Sequence, residues 1–325
     1  MAEQGIPVVV MGLGEVGRAI ARRVLTRSEL TLVAAVDPAK GIAGRSLDEL
    51  IGQPAGGLTV APDARGALLA QRGGVVILAT TSSLEKALPQ IHAAVEAGWS
   101  VVSTCEELAW PWLHHEAAAE SLDALCEEHD VAVVGTGVNP GFSLDRLPAF
   151  LAQVAGDVRH VRGLRVVDLT QRRDALRRKV GVGLSEAAFE AADERGEIGH
   201  IGLSESAALA AAGCGLDVDE VEEELSPLLA EEDGHGVKIG QVAGVHQVAR
   251  AFSEGREVAR LELIIALDVD HPRDEVEIDA DPPLRAVLPG GIPGEAATVN
   301  TVVHAALAIT ERRGLISVLD LPAGR

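Results

Sequence analysis

The stretch IPVVVMGLGEVGRAIARRVL, residues 6–25, reads as an apolar run, a glycine turn and a helix, and TLVAAVD at 31–37 supplies a second apolar run. Runs of Val and Ile without polar alternation are expected of strands covered on both faces, and strand–helix–strand units imply a parallel sheet with crossover helices. The rhythm continues outward from there. GGVVILATT (73–81) reads as a strand, LEKALPQIHAAVEAG (84–98) as a helix, WSVVSTC (99–105) as a strand, LHHEAAAESLDALCEEH (113–129) as a helix and VAVVGTG (131–137) as a strand. The fold class is therefore α/β, with an N-terminal parallel sheet carrying helices on both faces.

After Gly141 the texture changes. Residues 159–170 read as a longer strand followed by an arginine-rich stretch, and 185–194 and 200–212 as helices. From Val237 the chain reads as a hairpin turning at SEGR (253–256). In its second strand, LELIIALDVD (261–270), Leu261, Leu263, Ile265, Leu267 and Val269 alternate with Arg260, Glu262, Asp268 and Asp270, the pattern of a half-buried antiparallel strand. A final helix at 296–312 is expected to return to the first domain. The expected division is residues 1–141 for a dinucleotide-binding domain, joined by 296–325, and 142–295 for a mixed α+β domain that binds substrate and forms a dimer.

Lys and Arg total 28 against 49 Asp and Glu, a net charge of −21, which disfavours nucleic acid and anionic membrane surfaces as partners. No apolar run reaches the length of a membrane span. Aromatics are 2% with no Tyr, so an aromatic stacking platform is not expected. Cys105, Cys126 and Cys214 are scattered without a CxxC pair, which fits a reducing, cytoplasmic compartment. His114 and His115 are adjacent rather than on one helix face and there is no HExxH, so no metal site is expected. The acidic stretch 217–233, with nine carboxylates, reads as a solvated helix face or loop. For the eight basic residues of 159–179, a surface role and an anion-binding role stand level.

Gly12, Gly14 and Gly17 form GxGxxG directly after a strand and at the start of a helix. This Rossmann fingerprint gives a tight turn, close backbone approach to a pyrophosphate and a helix N-terminus with N–H groups to offer, so Leu13, Glu15 and Val16 belong to the same loop. Asp37 ends the next strand 20 residues after Gly17, where a carboxylate accepts hydrogen bonds from the adenosine ribose. Asp37 argues for NAD. Lys40 and Arg45, just downstream, leave NADP open.

Thr80, Thr81 and Ser82 follow a strand at the edge where ligands bind; lining the cofactor and capping by Ser82 or Ser83 before Glu85 are equal readings. Thr104 and Glu107 have capping-box spacing, which occupies Glu107 and leaves Glu106 as the acid/base candidate. In GTGVNPGF (135–142) a turn is the plain reading, and Asn139 adds an amide donor and acceptor near nicotinamide or substrate.

MGLGEVGRAIA, STCEELAWPW, GTGVNPGF, KVGVGLSEAAF, GHIGLSES and GEAATVNTVVHA, in that order, resemble 2,4-diaminopentanoate dehydrogenase and the related native amine dehydrogenases, relatives of dihydrodipicolinate reductase in fold. Dihydrodipicolinate reductase itself does not fit, since its paired histidines and lysine-containing loop are missing. The resemblance implies NAD(P)-dependent reductive amination of a small ketone or aldehyde with ammonia, or the reverse deamination. It puts the catalytic glutamate at Glu106, and Asn139, Phe142, Thr170, His200, Thr298 and Asn300 around substrate and cofactor. Two departures bear on substrate size and polarity: there is no pocket Tyr, and His304 stands where an Asn is expected. The competing readings are a dehydrogenase of another amino acid or an alcohol, and a dinucleotide sensor without turnover. A homodimer through the second sheet is expected, because the alternating hairpin strand leaves one face for a twofold partner.

Overall fold

The computed structural model describes residues 5–70, 73–170 and 174–322. Contacts divide the chain into two units, Met1–Phe142 with Pro293–Arg325, and Ser143–Ile292.

The first unit alternates β1 (Ile6–Met11), α1 (Glu15–Val24), β2 (Leu30–Val36), α2 (Leu47–Ile51), α3 (Arg65–Ala70), β3 (Val75–Leu78), α4 (Leu84–Glu96), β4 (Ser100–Ser103), α5 (Glu116–Glu128) and β5 (Ala132–Gly135). In β3, β4 and β5 every residue is buried, as unbroken apolar runs between two helical layers require. Helix α1 buries Gly17, Ile20, Ala21 and Val24, one stripe at helical spacing, with Glu15 in its first turn and Arg22 and Arg23 in its last, each sign at its favourable dipole end. Trp99, with no exposed surface, donates its indole N–H to the Leu68 carbonyl at 3.2 Å and anchors the core beneath α4 and α5.

The second unit holds α6 (Arg146–Ala152), β6 (Gly156–Asp168), α7 (Asp174–Lys179), α8 (Glu186–Asp193), α9 (Leu203–Gly213), β7 (Glu220–Leu229), β8 (Val242–Ser253), β9 (Arg256–Ala266), β10 (Arg273–Asp281) and β11 (Leu284–Pro289). The chain then gives α10 (Gly294–Ala308) and β12 (Gly314–Ile316) back to the first unit.

The first sheet runs β12-β5-β4-β3-β1-β2 and every pairing is parallel. Because β1 lies between β2 and β3, the sheet reverses its winding there, and the carboxyl ends of β1 and β3 frame the crevice where ligands bind in such sheets. The second sheet runs β11-β10-β6-β9-β8-β7, mixed, with β6 and β9 parallel and the other neighbours antiparallel. This is the α/β architecture with a second mixed sheet that the alternating pattern implies. No helix among the described residues is long and apolar enough to cross a membrane.

Two sequence expectations need correction here, and three strands have no counterpart in the sequence reading. The acidic stretch 217–233 holds no helix: residues 220–229 are the edge strand β7, paired antiparallel with β8, and Asp217, Asp219, Glu231, Glu232 and Asp233 lie in the loops on either side. Strand β9 stops at Ala266, before Asp268 and Asp270. The sequence pattern does not mark β10 and β11, because their alternation is charged on one face rather than apolar against polar in a long run. Strand β12 was missed because it is three residues long.

Candidate active site

The glycine turn assigns each glycine a separate task. Gly12 has φ +86°, and a Cβ there would lie 2.4 Å from the Ala79 carbonyl oxygen; a Cβ on Gly17 would lie 1.7 Å from the Gly12 carbonyl oxygen. Those two glycines let β1, α1 and the end of β3 close on each other. A Cβ on Gly14 would meet nothing within 4 Å, so the turn leaves open space at the helix N-cap. Gly14 has no side chain with which to cap α1, and its neighbour Leu13 is fully buried. Asp37 is 8% exposed; its Oδ2 accepts from the Leu13 N–H at 2.7 Å and its Oδ1 from the Ala39 N–H at 2.8 Å. The carboxylate at the end of β2 is thereby pinned to the glycine turn.

A cavity of about 870 Å³ opens here, within the size range of small-molecule sites. Gly12, Gly14, Asp37 and Thr80 line it, and its walls are apolar: Val36, Pro38, Ala64, Leu68 and Pro89 among others. The open N-cap, the pinned carboxylate and the apolar wall fit the pyrophosphate, ribose and adenine of a dinucleotide in that order. Thr80 donates its hydroxyl to Gln90 Oε1 at 3.1 Å. Gln90 and Arg65 also line the cavity and were not found from the sequence, since they come from α4 and α3 with no motif to mark them.

Lys40, Thr81, Ser82 and Thr104 do not line the cavity. Lys40 is exposed, and Arg45 pairs with Glu49 at 3.7 Å. Thr81 accepts the Ser83 N–H at 3.2 Å through its hydroxyl. Neither expected cap forms: Ser83 is the N-cap of α4 without a side-chain bond, and the turn of 3₁₀ helix at Glu106–Ala109 starts from Cys105 without one. Glu107 does cap a helix, but a distant one, its Oε2 accepting the Leu84 N–H of α4 at 2.7 Å with His115 Nε2 3.2 Å away.

These bonds fix the turn that carries Glu106. Ser103 donates its hydroxyl to the Leu78 carbonyl at 3.2 Å and accepts the Cys105 N–H at 3.0 Å. The Cys105 thiol donates to the Ser82 carbonyl at 3.0 Å, and burial pushes its pKa up to about 12, so the thiol stays protonated. Gly135 lets β5 pass: a Cβ there would sit 2.5 Å from the Leu108 carbonyl carbon. Half-buried Glu106 thus follows β4 at the same carboxyl edge as the Gly12 turn, on backbone tied to β3, α4 and β5.

At the end of β5, Asn139 is 8% exposed, and Gly141 has φ +128° with Gly137 and Thr136 packed against its α-carbon. Thr298 of α10 accepts the Val138 N–H at 3.2 Å, so the 135–142 turn and α10 are joined. Phe142 closes the turn, half-buried. Asn300 does not go to the glycine turn: its Oδ1 accepts from Arg23 Nε at 3.0 Å, on the last turn of α1 and about 12 Å along that helix from Glu15. Burial, then the guanidinium groups of Arg27 and Arg23, hold the His304 imidazole below its ordinary pKa.

Thr170 and His200 belong to the second unit. The Thr170 hydroxyl donates to Asp168 Oδ1 at 2.6 Å and accepts the Asp268 N–H at 3.1 Å. The His200 backbone is gripped by the Gln247 amide, N–H to Oε1 at 2.9 Å and Nε2 to the His200 carbonyl at 2.7 Å, while Gln247 Nε2 also reaches Glu223 at 2.6 Å. The basic run divides by environment. Arg159 pairs with Asp279 and Arg162 with Glu262 at the surface, whereas Arg165 is buried against Asp274. Arg172 and Arg173 lie outside the described residues.

The profile of the 2,4-diaminopentanoate dehydrogenase C-terminal domain matches residues 142–325. The chain is 27% identical over 98% of its length to 2,4-diaminopentanoate dehydrogenase of Acetoanaerobium sticklandii, covering 94% of that protein. It is 31% identical to an amine dehydrogenase of Streptomyces virginiae over 55% of the chain and 51% of that protein. An amine dehydrogenase structure from Mycobacterium smegmatis superimposes with a TM-score of 0.86 at 22% identity, covering 100% of this chain and 98% of that one. The chain belongs to the 2,4-diaminopentanoate dehydrogenase family and is an oxidoreductase acting on amines.

Proposed function

We propose that this enzyme interconverts a small amine and the corresponding ketone or aldehyde plus ammonia, with NAD as cofactor and Glu106 as the catalytic residue. The observation that carries the reading is the placement of Glu106 on a turn fixed at the carboxyl edge of the sheet, the edge that also bears the open N-cap at Gly14 and the pinned Asp37. Gly12 to Gly17 hold the pyrophosphate on N–H groups, and Asp37 accepts from the adenosine ribose. When bound, the nicotinamide takes or gives the hydride.

Glu106 does the rest of the work on the substrate side. As a carboxylate it attracts the substrate ammonium and takes one proton onto an Oε, leaving the neutral amine whose lone pair assists loss of hydride. The same carboxylate favours the iminium cation that develops on the substrate. In the reverse direction it stabilises the iminium formed from carbonyl and ammonia. On the first unit, Asn139, Phe142 and Thr298 shape the substrate side of the site, with Asn139 presenting an amide toward the reacting groups.

The test is a screen of small ketones with ammonium and NADH, followed by Glu106→Gln on whichever substrate turns over. The amide is nearly isosteric, so folding and NADH binding should persist while kcat/KM falls by roughly 100- to 10,000-fold. Near-normal reductive amination by Glu106→Gln would assign the catalysis elsewhere. The charged face of the second sheet, described below, supports a twofold dimer; light scattering that gives a monomer at micromolar concentration would count against it.

A further inference from the structure

The cavity beside the glycine turn has a single cation among its described lining residues, Arg65, the first residue of α3. Its backbone N–H donates to Asp63 Oδ1 at 3.0 Å, which fixes the start of the helix. Its guanidinium is exposed and has no ion-pair or hydrogen-bond partner among the described residues. Lys40 and Arg45, the cations the sequence offers for an extra phosphate, are not on the cavity wall.

The lip has two carboxylates, Asp37 and Asp63. Asp37 cannot swing aside to admit a phosphate without giving up the bonds from Leu13 and Ala39. Asp63 is held in place by the Arg65 N–H. A dianionic group on the adenosine ribose would face both charges, and the lip tolerates it only with a donor of opposite sign that is not already spent. A guanidinium fork with its donors free is the side chain that binds phosphate in two-pronged fashion.

Resting on the adenosine placement proposed above, we infer that Arg65 receives the ribose 2′-phosphate of NADP, so that the cavity admits both dinucleotides and prefers NAD because two carboxylates remain on the lip. Calorimetric titration with adenosine 2′,5′-bisphosphate and with 5′-AMP tests this without turnover. Arg65→Ala should weaken the bisphosphate about 10- to 100-fold, the range for losing a charge-assisted hydrogen-bonded pair, and leave 5′-AMP within about twofold. Arg65→Lys should fall between, keeping the charge but losing the fork. Lys40→Ala should leave both affinities unchanged.

Equal loss of both ligands in Arg65→Ala, loss of neither, or a bisphosphate-specific loss in Lys40→Ala would overturn the assignment. If the wild-type protein bound no 5′-AMP, the adenosine placement itself would fall, and the assignment with it.

Discussion

The two sheets of this enzyme use polar side chains in opposite ways. In the first, β3, β4 and β5 are buried along their whole length, and polar groups gather where the strands end: Thr80, Thr104, Glu106, Asn139. In the second, one face packs Val161, Leu261, Leu263, Ala249 and Ala251 into a core, while the other bears a lattice of charge. There Glu262 meets Arg260 at 2.9 Å and His246 at 3.1 Å, Glu275 meets Arg273 at 2.9 Å, and Arg250 reaches Glu224 at 3.4 Å. A sheet covered on both sides has only its edge to offer a ligand; a sheet covered on one side has a face for a partner.

On the buried face of the second sheet Arg165 and Asp274 form an ion pair, and it provides the largest test. Asp274 has no exposed surface; both its oxygens lie 2.7 Å from Arg165 Nη1, and Oδ2 also takes the Ile292 N–H at 2.7 Å. Asp274→Ala takes the carboxylate away from a buried guanidinium, which keeps its 2.7 Å bond from Nη2 to the Ile292 carbonyl, and should cost about 3–5 kcal/mol in urea unfolding. A cost near zero would show that this face relaxes as readily as the charged one.

The next test addresses the edge of the first sheet. Gly17→Ala puts a methyl group against the Gly12 carbonyl, so α1 must move away from the turn. Destabilisation by roughly 1–3 kcal/mol is expected, together with loss of measurable NADH binding by fluorescence titration. Retained NADH affinity would separate cofactor binding from the closure of this turn.

The smallest effect belongs to the charged face. Hydrogen bonds from Arg273 and Arg285 hold the Glu275 carboxyl below its ordinary pKa. A depressed folded value means that the pair stabilises the fold above the unfolded pKa of about 4.3 and loses that contribution as pH falls through the lower folded value. Arg285→Ala should lower stability at pH 7 only slightly, because the pair is solvent-screened, and should reduce by the same small amount the stability lost on acidification below pH ~4. A large effect at pH 7 would mean that this face does structural work equal to the core.

What the sequence determined by itself was whatever rests on neighbours in the chain. Unbroken apolar runs at 8–11, 75–78 and 101–102 mark strands buried on both faces, and GxGxxG followed by Asp37 marks the dinucleotide turn, because periodicity and backbone freedom are local properties. Helix α8 was legible to within a residue at each end, while the role of Ser185 as its cap, accepting the Ala188 N–H, came from the structure. Tertiary structure alone decided the rest. The string EVEEEL became strand β7 because β8 offered it a ladder of hydrogen bonds, and RDEVEID became β10 because Arg285 and Arg165 lay across from its carboxylates on neighbouring strands. Glu107 caps Leu84 across 23 residues instead of the turn beside it, Asn300 turns to Arg23, and Arg65 lines the cavity beside the glycine turn where Lys40 and Arg45 do not. Each of these depends on which segments fold side by side, and a charged side chain takes whichever opposite charge or orphaned N–H packing brings within about 3 Å, whatever its distance along the chain.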